Sequence, residues 1–155
     1  MKRALFAVIW MLVSVAMPGA SQSDAKNSVR EKLIASWRLA WDEEEAADGK
    51  MVRAEQTGVI MYTRDGHMAV QIMLPEGKNP AGANPVKYDL GSYEAYYGTY
   101  DVDEAAHTVT HHVQGALVRG LIGKNLTRVY RFEGKQLILK SSRPDEHWTI
   151  AWERN

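Results

Sequence analysis

The dipeptide Asp65-Gly66 constrains what this chain can fold into more than any other feature of the sequence. It separates two runs rich in β-branched and aromatic side chains, residues 57–64 and 67–74. Asp-Gly suits the positive φ angles of a type I′ turn, which joins two antiparallel strands directly. Such a turn sets the register, with Tyr62 facing Ala69, Met61 facing Val70 and Ile60 facing Gln71. One face then holds Val59, Met61, Thr63, Met68, Val70 and Ile72; the other holds Ile60, Tyr62, Ala69, Gln71 and Met73. Both faces are apolar enough to predict cover on both sides. Hydrophobicity alone points the first of them inward.

The same pattern recurs along the chain. Residues 125–141 predict a second hairpin turning at Glu133-Gly134, with Phe132 opposite Lys135, Tyr130 opposite Leu137 and Arg128 opposite Leu139. Its core face is Arg128, Tyr130, Phe132, Leu137 and Leu139. Residues 93–116 read as two further strands around an acidic turn. Alternation puts Tyr96, Gly98, Tyr100 and Val102 on one face of the first, and Val109, His111 and Val113 on one face of the second. Apolar faces that also carry hydroxyls and an imidazole predict the wall of a ligand cavity. Trp37, Leu39 and Trp41 alternate in a first strand, and Trp148, Ile150, Trp152 and Arg154 in a last one. Asp42 to Asp48 is acidic and reads as a solvated strand end and loop in preference to a cation site. Pro75, Pro80 and Pro85, with Gly77 and Gly82, make residues 75–92 a long loop, either a plain connection or a lid carrying Tyr88 and Leu90.

That makes about eight strands, with no helix long enough for a parallel crossover, so sequence neighbours pair antiparallel. Closing eight strands into an up-and-down barrel removes both edges and leaves room for packed side chains or one small ligand. The expected fold is all-β, an antiparallel eight-stranded barrel with a short N-terminal helix. Ser28 and Glu31 fit a capping box at the start of that helix, which would plug one end of the barrel.

The first 21 residues stand apart. Lys2 and Arg3 precede an almost wholly apolar stretch, Ala4 to Met17, and then Pro18-Gly19-Ala20-Ser21. This is the layout of a cleavable secretory signal peptide, and the apolar stretch is short of the ~20 residues that span a bilayer. The expected organisation is a signal peptide over 1–21, a polar lead and short helix over 22–32, and a barrel domain over 33–155. A periplasmic or secreted protein follows, with no stable membrane anchor after cleavage. The chain holds no cysteine, so the fold stands without disulfides and thiolate chemistry is excluded. The 19 basic residues are matched by 19 acidic ones; removal of Lys2 and Arg3 leaves 17 against 19. Nothing in that balance suits a polyanion, and no nucleic-acid partner is expected.

Several stretches resemble the lipocalin-like domain family of bacteria and fungi. They are Ser36-Trp37-Arg38-Leu39, the run from Tyr62 through Asp65-Gly66-His67-Met68 to Met73, Ala95-Tyr96-Tyr97-Gly98-Thr99-Tyr100, Thr110-His111-His112-Val113 and Trp152-Glu153-Arg154. The resemblance covers roughly residues 33–154 and implies a calycin-type barrel. It further implies that Trp37 closes the barrel floor beside Arg154, a cation over an indole face. It favours Tyr62 and Gln71 pointing inward, against the hydrophobicity of the hairpin, and the inward face of residues 57–74 stays open at this point.

The candidate ligand-binding residues are Tyr62, Gln71, Tyr96, Tyr100, His111 and Arg128. His111 beside Tyr96 and Tyr100 is either a proton-transfer group or a core histidine bonded to tyrosine. Arg128 on an apolar face needs a partner, either Glu94 or Asp101, or a carboxylate on a ligand. His111 and His112 point to opposite faces of one strand, which argues against a metal site, and no cofactor pattern is present. The expected function is to hold a small apolar ligand, with a carboxylate-bearing one among the options. An enzyme working in the same cavity, with His111 as base, is the alternative, and a module binding nothing small is a weaker one. The oligomeric state is left open.

Overall fold

The computed structural model describes residues 28–73 and 93–155. The expected signal peptide, the polar lead through residue 27 and the proline-containing segment with Tyr88 and Leu90 lie outside the described residues.

A helix, α1 (Val29–Leu33), leads into nine strands: β1 (Ala35–Glu45), β2 (Met51–Ala54), β3 (Thr57–Tyr62), β4 (His67–Met73), β5 (Tyr93–Asp103), β6 (Thr108–Ala116), β7 (Asn125–Glu133), β8 (Gln136–Ser141) and β9 (Trp148–Arg154). All pairs are antiparallel, in the order β2-β1-β3-β4-β5-β6-β7-β8-β9, and β1 closes on β9. β2 pairs with residues 42–45 of β1 and β3 with residues 35–38, while β9 occupies the other edge. The two therefore lie end to end and act as one interrupted strand. The result is a closed eight-stranded barrel, the architecture expected from the hairpin pattern.

The first hairpin shows how one residue decides a face. Only Gly66 adopts positive φ (+89°) in its turn, which rules out type I′. The Gly66 amide bonds the Thr63 carbonyl (3.2 Å) and the Thr63 amide bonds the His67 carbonyl (2.9 Å), a turn closed by a glycine bulge. Tyr62 consequently pairs with Met68 and Val59 with Gln71, one residue off the expected register. The inward set becomes Ile60, Tyr62, Met68, Val70 and Ile72, all buried, so the hydrophobic reading of β3 is overturned. Gln71, expected in the ligand site, stands on the exposed outer face and accepts a hydrogen bond from the Tyr93 hydroxyl (2.9 Å). The second hairpin also differs from expectation. Its turn falls at Gly134-Lys135, pairing Tyr130 with Leu139 and Phe132 with Leu137. That slip is two residues, an even number, so the inward face survives unchanged.

β1 holds the third departure. Its pairing with β9 shifts between Leu39 and Trp41, leaving Ala40 unmatched in a bulge. Upstream, Trp37 and Leu39 face the core. Downstream the alternation inverts: Trp41 turns outward under Arg53 (4.8 Å), while Asp42 and Glu44 turn inward. The acidic stretch expected to be solvated thus enters the barrel, and Asp42 is 1% exposed.

One end of the barrel is closed by packing. Leu33 of α1 is fully buried and belongs to the same core cluster as Trp37, Tyr62, Tyr100, Val109 and Trp152. The Trp37 indole donates to the Leu33 carbonyl (2.8 Å), and the Arg154 guanidinium lies 4.9 Å from the Trp37 ring centroid. Ser28 accepts from the Glu31 amide as an N-cap should, but the Glu31 carboxylate reaches Arg64 on the first hairpin turn (2.6 Å) and so fastens the helix to the barrel end. Where β5 and β6 cross closely, a Cβ at residue 98 would overlap the His112 carbonyl oxygen, which restricts that position to Gly98.

Candidate functional site

The opposite end of the barrel is hollow. The described residues line an open-ended cavity of about 1080 Å³, just above the usual range of small-molecule sites. Its apolar wall is Ile60, Val70, Ile72, Leu139, Ile150 and Trp152. Its polar groups are Asp42, Glu44, Glu94, Tyr96, His111 and Arg128, with Arg143 and Glu146 nearer the rim.

His111 sits where the packed floor meets the cavity. β6 alternation aims it inward, and it is 1% exposed. Nε2 lies 2.8 Å from the Tyr62 hydroxyl and Nδ1 lies 3.0 Å from the Tyr96 hydroxyl. A neutral imidazole has one N–H and one bare nitrogen, so one tyrosine accepts and the other donates. Burial, then the charge of Arg128, holds the His111 pKa down to about 3, so the ring is neutral at physiological pH. Burial also pushes Tyr96 up to about 12 and Tyr62 well above the usual phenol range. Tyr100 packs edge-on against Tyr62 (4.9 Å between centroids) and donates to the Thr63 carbonyl (2.9 Å). Of the expected site residues, Tyr96, His111 and Arg128 line the cavity, Tyr62 and Tyr100 form the layer beneath it, and Gln71 lies outside.

Arg128 comes from β7 and is half-buried, its guanidinium 4.8 Å from the Trp148 ring centroid. The guanidinium donates to the Thr127 carbonyl (3.3 Å) and also interacts with the Tyr96 hydroxyl, whose rise in pKa it tempers. Among the described residues no carboxylate comes within 4.0 Å of it. Of the two partners expected from sequence, Asp101 pairs with His112 on the outer surface (2.8 Å). Glu94 lies on the lumen side of β5 and stays accessible; partial desolvation raises its carboxyl, and the charge of Arg128 offsets only part of that rise.

Sequence reasoning missed the carboxylates of β1. Asp42 is pushed up to about 7, first by burial and then by Glu44, with Glu94 and Glu43 adding to it and the Glu43 backbone amide tempering it. Glu44 is held by the Gln56 side-chain amide (2.9 Å). A signal for this pole was available. A strand continued through residues 42–45 must turn two acids inward, whichever face it presents.

Strand order, closure and a cavity at one end define an up-and-down β-barrel with a hollow end. The chain belongs to the lipocalin-like domain family, whose model matches residues 34–154. Among solved structures it is similar to a redesigned beta barrel at 11% identity and a TM-score of 0.46, covering 81% of this chain and 94% of that one. It is also similar to two mutants of the fluorescent protein UnaG. One has 12% identity, a TM-score of 0.41 and coverage of 81% and 97%. The other has 14% identity, a TM-score of 0.39 and coverage of 80% and 96%. A search of curated proteins gives no match.

Proposed function

We propose that this protein binds a small apolar molecule bearing an acidic group inside the barrel, and that Arg128 meets that group. The observation that carries the reading is Arg128 itself, a half-buried guanidinium in an apolar-walled cavity with no carboxylate in ion-pair reach among the described residues. A desolvated planar guanidinium favours a carboxylate through charge-assisted hydrogen bonds. The cavity volume supports a ligand over a module that binds nothing small. A binder is favoured over an enzyme because both nitrogens of His111 are taken up by tyrosines and its basicity is suppressed.

The test uses 4-phenylbutyrate and its methyl ester, followed through the emission of Trp148 and Trp152, which line the cavity. The acid should bind about tenfold more tightly than the ester, the scale of one charge-assisted hydrogen bond. Arg128→Leu should erase that difference and leave the fold intact, since no buried partner charge is stranded. Equal discrimination by the two proteins removes Arg128 from the site.

The charged, apolar and small-residue layout of residues 1–21 supports export to the periplasm or beyond. The intact mass of the exported protein should lack residues 1–20 or 1–21. A mass that retains Met1 counts against export by this route.

A further inference from the structure

The cavity has a second pole. Asp42 is 1% exposed, lines the cavity, and its Oδ1 has no hydrogen-bond partner. Trp152, on the neighbouring strand β9, is also 1% exposed and lines the cavity, and its indole N–H is likewise unpartnered. The register places Ile150 opposite Asp42 and Trp152 opposite Leu39, so the two orphaned groups are near neighbours on one inner wall. Buried polar atoms without partners are costly, and a carboxylate oxygen left in this state on a cavity wall suits a guest that donates to it, while the indole N–H beside it would take an acceptor elsewhere on that guest.

The charge around this wall chooses the guest. The charges acting on Asp42 are the carboxylates of Glu44, Glu94 and Glu43, while Arg128 stacks on Trp148. Among the described residues no three metal-ligating side chains converge. A polyvalent metal ion therefore finds no ready set of ligands there, whereas an organic cation needs only the acceptor and an apolar wall for its body. We infer that the ligand carries a protonated amine, seated against Asp42 with Glu44 and Glu94 close by, its hydrocarbon part lying on Ile60, Ile72 and Ile150. This rests on the reading of the cavity as a small-molecule site and adds a group to its ligand. Arg128 and Asp42 would then grip different ends of one molecule.

Three probes of one shape separate this inference from the reading beneath it: 4-phenylbutylamine, 4-phenylbutan-1-ol and 4-phenylbutyrate, each titrated by tryptophan emission. At pH 8, where Asp42 has given up its proton, the amine should bind the wild-type protein about tenfold more tightly than the alcohol, as expected for a hydrogen bond to a charged group. Asp42→Asn, nearly isosteric, should bring amine and alcohol together while the acid keeps its affinity. Arg128→Leu should weaken the acid and leave the amine preference in place. An amine bound no better than the alcohol, or an amine preference that persists in Asp42→Asn, overturns the amine pole and leaves the acid-binding reading standing. Failure of all three probes to bind overturns both.

Discussion

Trp37→Ala should cost about 3–5 kcal/mol of stability, the range for removing a large buried aromatic side chain. Trp37 is 2% exposed and works in three directions at once. Its ring fills the floor of the barrel, 6.4 Å from Phe132. Its N–H ties down the last carbonyl of α1 at Leu33, and its face carries Arg154 from the end of β9. Truncation therefore opens a cavity, removes one of the ties on the plug and takes away the ring under Arg154. A domain of this size has only about 5–15 kcal/mol in total, so the melting temperature should fall by roughly 10–20 °C. Trp37→Phe separates these roles, because it keeps most of the packing and loses the N–H; it should cost about 1–2 kcal/mol. Urea unfolding followed by circular dichroism measures both variants. A Trp37→Ala midpoint equal to wild type would show that the floor stands without the indole.

The second large effect depends on pH. Folded Asp42 keeps its proton up to about pH 7, against 3.8 for an ordinary aspartate. Well below pH 3.8 the folded and unfolded chains are both protonated and the residue is neutral in effect. As pH rises towards 7, the unfolded chain gives up its proton first and the fold loses stability. At pH 8 the loss is complete and amounts to roughly 2–4 kcal/mol. Asp42→Asn should thus stabilise the protein by that amount at pH 8 and by almost nothing at pH 4. His111 acts in the opposite sense. Its pKa is held down to about 3 from 6.5, so its contribution is present above pH 6.5 and is lost as pH falls towards 3. Between about pH 4 and 6.5 the two slopes oppose each other, and Asp42→Asn should reveal a profile that climbs with pH across that window. Unfolding free energies at pH 4, 6 and 8 decide the matter. A stabilisation of the same size at all three would show that Asp42 does not hold its proton in the fold.

The barrel was legible because closure depends on how many strands there are and how they are linked, and both follow from turn residues and alternation. The direction of each strand face was harder to read. Face depends on whether a turn adds an odd or even number of residues, and Asp65-Gly66 gives no sign that Thr63 will close the loop with a bulge. Tyr62 came out inward and Gln71 outward for that reason alone. Glu133-Gly134 was misplaced by two residues with no harm, so Arg128 reached the cavity as its alternation required. The acidic wall was lost by ending the first strand at Trp41. A carboxylate reads as solvent-facing until a neighbouring strand is known to cover it, and β9, which covers Asp42, begins over a hundred residues later.

The bulge at Ala40 gives β1 something like two reading frames. Upstream of it the inward letters spell hydrocarbon; downstream they spell acid. If Ala40 were drawn into regular pairing with β9, the downstream frame would shift by one and present Trp41, Glu43 and Glu45 to the lumen in place of Asp42 and Glu44. Deleting Ala40 instead would leave both frames as they are. Along this strand the chemistry of the lumen is set by where the count of residues skips a step, so losing the bulge without losing a residue would turn a different set of side chains into the cavity while the rest of the wall stayed the same.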